Sequence, residues 1–293
     1  MNRFTTLFLI MLLLSSCGKA ISGADTPGVA TTMSLPTPLV SAPAPATASP
    51  ATPAATGVPT AEATQPSVAT KSPSPLPPEK KKSMTVVDLL TEDGVRIRGT
   101  YYRPAEINVP GIVLLHMLGR NRDDWATFAG KLQNAGYGVI AIDLRGHGDS
   151  GGKRDWAKMV NDVAAATGFL RSQPEIDPQR IVIVGASIGA NVAINYAAHD
   201  SAISGVALLS PGLDYRGVKT ENAVREYAAR PLFIAASQED GYAAQSSQKL
   251  ATLAQGPHTL LILENQGHGT QMLGKDNGLE DALFQWFAEV VKQ

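Results

Sequence analysis

Between residues 84 and 293, short runs rich in β-branched residues alternate with longer runs of helical spacing, and few folds accommodate that rhythm. Runs at 85–90 and 95–102 flank Asp93-Gly94, a hairpin signal. Further strands are expected at 111–116, 138–143, 180–184, 206–209, 231–236 and 259–263. Helices are expected at 125–134, 156–172, 188–199, 243–253 and 279–291. The 111–116 run is apolar throughout until His116, as a strand covered on both faces requires. A hairpin followed by strand–helix units implies an α/β class, with a mostly parallel central sheet and helices on both faces. Functional groups in such sheets gather at the carboxyl ends of the strands.

One such end carries Gly185-Ala186-Ser187-Ile188-Gly189, between an expected strand and an expected helix. A nucleophilic serine needs a sharp strand-to-helix turn that lifts its Oγ out of the sheet, and small flanking residues permit it. The helix start adds free N–H groups and a positive dipole end for a developing oxyanion. The plainer reading is a tight turn with an incidental serine. A serine hydroxyl also needs a base. Five histidines are present. His268, in Gln266-Gly267-His268-Gly269, combines late chain position with a loop after a strand, and is the candidate base. His116 and His147 read as hydrogen-bonded turn residues, while His199 ends a helix and His258 opens a strand. The group that orients the base is expected to be Asp240, four residues past the 231–236 strand; Asp214 is its main rival, and Glu239 is expected to face solvent.

The order Ser187, Asp240, His268 matches the chain order of the triad in α/β-hydrolases. Together with His116-Met117-Leu118-Gly119 and the turn from Asp143 to Ser150, it makes residues 84–293 resemble that superfamily, closest to small esterases, the dienelactone-hydrolase-like group and serine aminopeptidases. The resemblance implies the α/β-hydrolase fold and acyl transfer through an acyl-enzyme. Many relatives carry His-Gly-x-Gly at the oxyanion loop, whereas this chain has Met117 at the first glycine. The expected oxyanion donors are the N–H of Ile188 and that of Leu118, with Met117 as rival. Dehalogenases of the fold carry aspartate at the nucleophile and dienelactone hydrolases proper carry cysteine, so Ser187 points away from both. No His or Cys cluster has metal-ligand spacing, and neither metal nor cofactor is expected.

Cap domains in this fold enter after the sixth core strand. Here only about 20 residues, with a short helical run at 221–229, separate Ser210 from Pro231, so a minimal cap or none is expected. An open site suits a small-molecule or polymer-borne ester. Tyr215 and Tyr242 are either mouth-lining or surface-packing residues. A peptidase or amidase on the same scaffold, and an idle ligand-binding lipoprotein, are the competing readings.

The first 83 residues have a different character. Thirteen of the 20 prolines lie between Gly18 and Ser83, a stretch without Phe, Tyr or Trp. Such a stretch cannot offset its conformational entropy by burial, and 18–83 is read as a disordered tether. Ahead of it, Arg3 precedes an apolar run at 7–14 that is too short to span a bilayer and reads as a signal-peptide core. Leu14-Ser15-Ser16-Cys17 resembles the lipobox of bacterial lipoproteins. That resemblance implies cleavage after residue 16, lipidation of Cys17, and an enzyme anchored to the bacterial cell envelope on the extracytoplasmic side of a membrane. A plain secretory signal with a chance cysteine is the alternative. Cys17 is the only cysteine, so no intrachain disulfide forms. Residues 84–293 hold 19 Lys and Arg against 23 Asp and Glu, without a patch that suggests a nucleic-acid partner.

Overall fold

The computed structural model describes residues 82–292. The expected signal segment, Cys17 and the tether up to residue 81 lie outside the described residues.

An opening hairpin is formed by β1 (Ser83–Leu90) and β2 (Arg96–Arg103). Six further long strands follow: β3 (Val109–Leu115), β4 (Gly138–Ile142), β5 (Ile176–Ala186), β6 (Ile203–Leu209) and, past a ribbon of two-residue strands β7 (Asp214–Tyr215) and β8 (Val218–Lys219), β9 (Leu232–Ser237) and β10 (His258–Leu263). The helices are α1 (Ala126–Asn134), α2 (Met159–Ser172), α3 (Ile188–His199), α4 (Glu221–Glu226), α5 (Gly241–Leu253) and α6 (Leu279–Val290). Eight strands make one sheet in the order β1-β2-β4-β3-β5-β6-β9-β10. Only the β1–β2 and β2–β4 pairs are antiparallel. The expected architecture is therefore present, with β5 beginning four residues earlier than the apolar run suggested, because its amino end carries Asp177, Pro178 and Gln179.

Alternation of side chains explains why helices cover both faces. Val113, Leu115, Ile181, Ile183, Val206 and Leu208 point to one side, where they pack with Val163 and Leu170 of α2 and Val192 and Ile194 of α3. Ile112, Leu114, Val182, Val184, Ala207 and Leu209 point to the other, against Phe128 and Leu132 of α1 and Leu283 and Phe287 of α6. All these sheet residues are fully buried. The order of connections then locates the site. From β3 the chain moves outward to β4 and next crosses back to β5 on the other side of β3. Successive crossovers leave in opposite directions there, which opens a crevice at the carboxyl ends of β3 and β5.

Buried polar groups fix the loops around that crevice. Asp143, just past β4 and fully buried, accepts the N–H of Arg122 at 2.7 Å, the N–H of Asp149 at 2.9 Å and the Arg122 guanidinium. Gly148 passes so close that a β-carbon would overlap the Asp143 carboxylate. Arg145, also buried, pairs with Asp162 at 2.8 Å and Asp93 at 2.7 Å, which ties the hairpin turn to α2. Burial pushes the Asp162 carboxyl up to about 6, with the Arg145 guanidinium pulling against it.

His116 closes the gap between β3 and β4. Its Nδ1 lies 2.8 Å from the Met117 carbonyl and its Nε2 lies 3.0 Å from the Leu144 nitrogen. Only the neutral ring with the proton on Nδ1 satisfies both, since a second proton would face the Leu144 N–H. Burial holds the imidazole pKa down to about 4, the Met117 carbonyl opposing. The unfolded chain, with an ordinary histidine near 6.5, binds this proton first. Stability from His116 is thus complete above about pH 6.5 and is lost as pH falls toward 4, by about 3 kcal/mol in all. Urea denaturation of the chain at pH 7 and at pH 4.5 is expected to differ by about 2–3 kcal/mol more in the wild type than in His116→Asn. Equal slopes in the two proteins would remove His116 from this role.

Candidate active site

The β5-to-α3 turn forces Ser187 into φ 54°, ψ −120°, a region that costs a non-glycine residue about 1–3 kcal/mol. Contacts on both sides hold it there. The Ser187 N–H donates to the Leu209 carbonyl at 2.8 Å, and its carbonyl accepts the Ala190 N–H at 2.9 Å. A β-carbon at Gly185 would overlap the Gly189 carbonyl, and one at Gly189 would stand 2.5 Å from the Leu115 oxygen. Both glycines are therefore required for α3 to start against β5 and β3. Ser187 itself is 6 % exposed.

His268 and Asp240 come from the loops after β10 and β9. His268 Nδ1 lies 2.5 Å from Asp240 Oδ2, with both side chains partly exposed. The rival Asp214 is elsewhere: its carboxylate accepts the Gly217 N–H at 2.7 Å. Each loop is fastened by a few polar atoms. The His268 N–H donates to Gln271 Oε1 at 2.9 Å, and the next N–H, of Gly269, donates to the buried Ser210 hydroxyl at 2.9 Å. Ser237 donates to Glu239 at 2.6 Å and accepts the Gln266 N–H at 2.9 Å, while Glu239 also accepts the Asn265 N–H at 2.7 Å. Glu239 is exposed as expected, yet its carboxylate is a cross-link between the two loops. Those bonds, chiefly the one from Ser237, hold its carboxyl below the usual range.

Ser187 and His268 line one cavity of about 340 Å³, together with Met117, Leu118, Ile188, Tyr215 and Arg216. No hydrogen bond among the described residues takes the N–H of Leu118 or that of Ile188. Met117 is buried and Leu118 is 38 % exposed. His147 stands edge-on to His116, ring centroids 5.0 Å apart, with Nδ1 3.1 Å from the Arg145 carbonyl. Both histidines lie outside the lining of this cavity. Among the described residues, no group of three or more His, Cys, Asp or Glu side chains is arranged to hold a metal ion.

The β7–β8 ribbon is the part of the site that the sequence hid. Its strands are two residues long, too short to carry a period. It is clamped by Asn191, fully buried on α3 one turn past Ser187. That amide accepts the Gly212 N–H at 3.0 Å and donates to the Val218 carbonyl at 2.7 Å. The ribbon thereby brings Tyr215 to the cavity that Ser187 lines. The Tyr215 ring meets His268 edge-on at 6.4 Å and Tyr242 at 5.6 Å. Desolvation and then the nearby Asp240 charge hold its phenol well above the ordinary range, while the neighbouring Ser187 hydroxyl acts the other way. Tyr215 thus keeps its proton and lines the same cavity as Ser187. Tyr242 stays half-exposed, its hydroxyl accepting the Asp214 N–H at 2.9 Å. The whole cover is this ribbon plus the short α4, which agrees with a minimal cap.

Residues 110–232 match the family described as serine aminopeptidase, S33. The thiohydrolase aneE of Aspergillus aculeatus is 31 % identical over 137 residues, which are 45 % of this chain and 43 % of that protein, so the chain aligns with less than half of that relative. The structure of DcsB with its substrate analogue matches at a TM-score of 0.65 and 16 % identity, covering 72 % of this chain and all of that one. The Pyrococcus furiosus esterase Pf2001 matches at a TM-score of 0.61 and 19 % identity, covering 72 % of this chain and 92 % of that one. With the sheet order, the single antiparallel insertion at β2 and the strained serine turn, these likenesses identify the fold of the described residues as that of the α/β-hydrolases.

Proposed function

We propose that the chain is a serine hydrolase that cleaves a carboxylic ester through an acyl-enzyme. The carrying observation is the meeting of a strained, buried serine with a carboxylate-oriented histidine around one cavity. In this reading Ser187 Oγ attacks the ester carbonyl carbon and gives its proton to His268 Nε2. Asp240 accepts the Nδ1–H and stabilises the imidazolium. The carbonyl oxygen becomes an oxyanion, received by the N–H of Ile188 and that of Leu118, with Met117 as the alternative donor. His268 then delivers the proton to the leaving oxygen as the C–O bond breaks. A water molecule gives its proton to His268 and attacks the acyl carbon, and collapse returns the proton to Ser187 as the acid leaves. The S33 likeness of residues 110–232 and the esterase-like structural neighbour support hydrolysis as the class of reaction.

That same S33 likeness favours a peptidase as the second reading. An aminopeptidase must hold a substrate ammonium group. The cavity lining instead includes a cation, Arg216, and no carboxylate, which favours the ester. The envelope anchor through Cys17 belongs to this proposal as well. It rests on the apolar run at 7–14 after Arg3, the Leu14-Ser15-Ser16-Cys17 pattern and the proline-rich stretch that follows. Mass spectrometry of the mature amino terminus from bacterial membranes is expected to find a diacylglyceryl-modified Cys17, and Cys17→Ser should release the protein.

Two substitutions test the chemistry. Ser187→Ala should lower the hydrolysis of p-nitrophenyl butyrate by about 10³-fold or more and abolish labelling by a fluorophosphonate probe. Asp240→Asn, which favours the wrong imidazole tautomer, should lower kcat by about 10³–10⁴-fold. A Ser187→Ala protein that keeps the wild-type rate would sink the assignment. Faster turnover of aminoacyl-p-nitroanilides than of esters would favour the peptidase.

A further inference from the structure

The β7–β8 ribbon carries charge as well as the Tyr215 ring. Arg216 sits at its tip in the left-handed region, φ 58°, and lines the Ser187 cavity. It also lines an adjoining groove of about 850 Å³. Lys153, Arg154, Lys219 and Trp156 bound that groove too, with Asp155 and Glu226 as its lining acids. Arg216 therefore borders both the nucleophile's cavity and a basic groove.

The cations of this groove differ from their neighbours. Around the same end of the sheet, Arg120, Arg122 and Arg145 each face a carboxylate. Lys153, Arg154, Arg216 and Lys219 form no ion pair among the described residues. Four cations against two acids make a local positive excess, although residues 84–293 as a whole carry more acids than bases. The groove is also held in place. Asn191 clamps the ribbon to the nucleophile's own helix, and Asn195 on that helix donates to the Lys219 carbonyl at 2.8 Å. The distance from the nucleophile to the ribbon is thus set by α3.

We propose that this groove is an acid-recognising subsite: the substrate is an ester of which one arm ends in a carboxylate, received by Arg216 with Lys153, Arg154 and Lys219 behind it. This rests on the hydrolase reading above and names its substrate class. A guanidinium at the rim attracts a carboxylate while the ester carbonyl sits over Ser187, and the cations behind it raise the local concentration of anionic substrate. Trp156 gives the connecting chain an apolar wall.

The test compares matched substrates on the full chain. One pair varies the acyl arm: mono-p-nitrophenyl adipate against p-nitrophenyl hexanoate. The other varies the alcohol arm: 4-acetoxybenzoate against 4-acetoxybenzamide. In at least one pair the wild type should favour the anion in kcat/KM by about fivefold or more, the discrimination equivalent to an ion pair of about 1 kcal/mol. Arg216→Gln should bring that ratio close to one, Arg216→Lys should keep most of it, and added salt should shrink it. Arg154→Gln, outside the ribbon, should lower it part way. A wild type that prefers neither anion, or a preference that survives Arg216→Gln, would overturn the subsite. Hydrolysis of the neutral esters tests the Ser187 chemistry separately. Should no ester turn over, calorimetry with adipate still reads the subsite, because binding must then weaken in Arg216→Gln; equal binding would overturn it.

Discussion

Two missing β-carbons govern the arrangement at the crevice. Only with glycine at 185 and 189 can α3 begin in contact with the carbonyls that end β3, and only that contact turns the chain through Ser187. The start of α3 leaves N–H groups without helical partners, and its first residue, Ile188, lines one cavity with Met117 and Leu118. The strained backbone of Ser187 is offset by the burial of the helix it opens, of which eight residues from Ile188 to Ala197 are buried. A methyl group at either glycine would push α3 away and move the serine, the ribbon clamped by Asn191 and the neighbouring loop together.

Around that turn the loops are held by single polar atoms as well as by buried apolar side chains such as Met117, Leu144 and Met272. Asp143 holds the segment after β3, Ser210 holds the loop of His268, and Ser237 with Glu239 joins the last two loops. Each is a hydrogen-bonding group whose removal leaves its partners without a substitute, a larger effect than the modest net gain of forming the bond. His116 belongs to the same set: both of its ring nitrogens are already engaged, so the residue serves as structure.

Much of this was legible in the sequence because it is local. The strand–helix rhythm follows from period, and a small-residue frame around Ser187 between a strand and a helix has few meanings. The pairing of Asp240 with His268 was readable from their places after consecutive strands, though the choice against Asp214 needed coordinates, since both acids follow strands. The ribbon was not readable. Its fold depends on Asn191, more than 20 residues earlier in the chain, and nothing in Asp214-Tyr215-Arg216-Gly217 says which way the ring turns. Glu239 was hidden for a related reason. Its exposure was evident from its loop, whereas its bonds depend on how the Asn265 loop approaches.

The sheet is unequally protected along its width. β5 is buried at every residue from Ile181 to Ala186 and β6 at every residue but Ser204, whereas β10 forms an edge, pairs only with β9 and is exposed or partly exposed at every residue. The serine stands on the interior strand and the histidine follows the edge strand. Local opening draws first on segments with few covering contacts. His268 is therefore carried by a sparsely covered strand of the sheet, and the bonds that tie its loop to Ser210 and to Asp240 join that border to the well-covered centre on which the Ser187 turn rests.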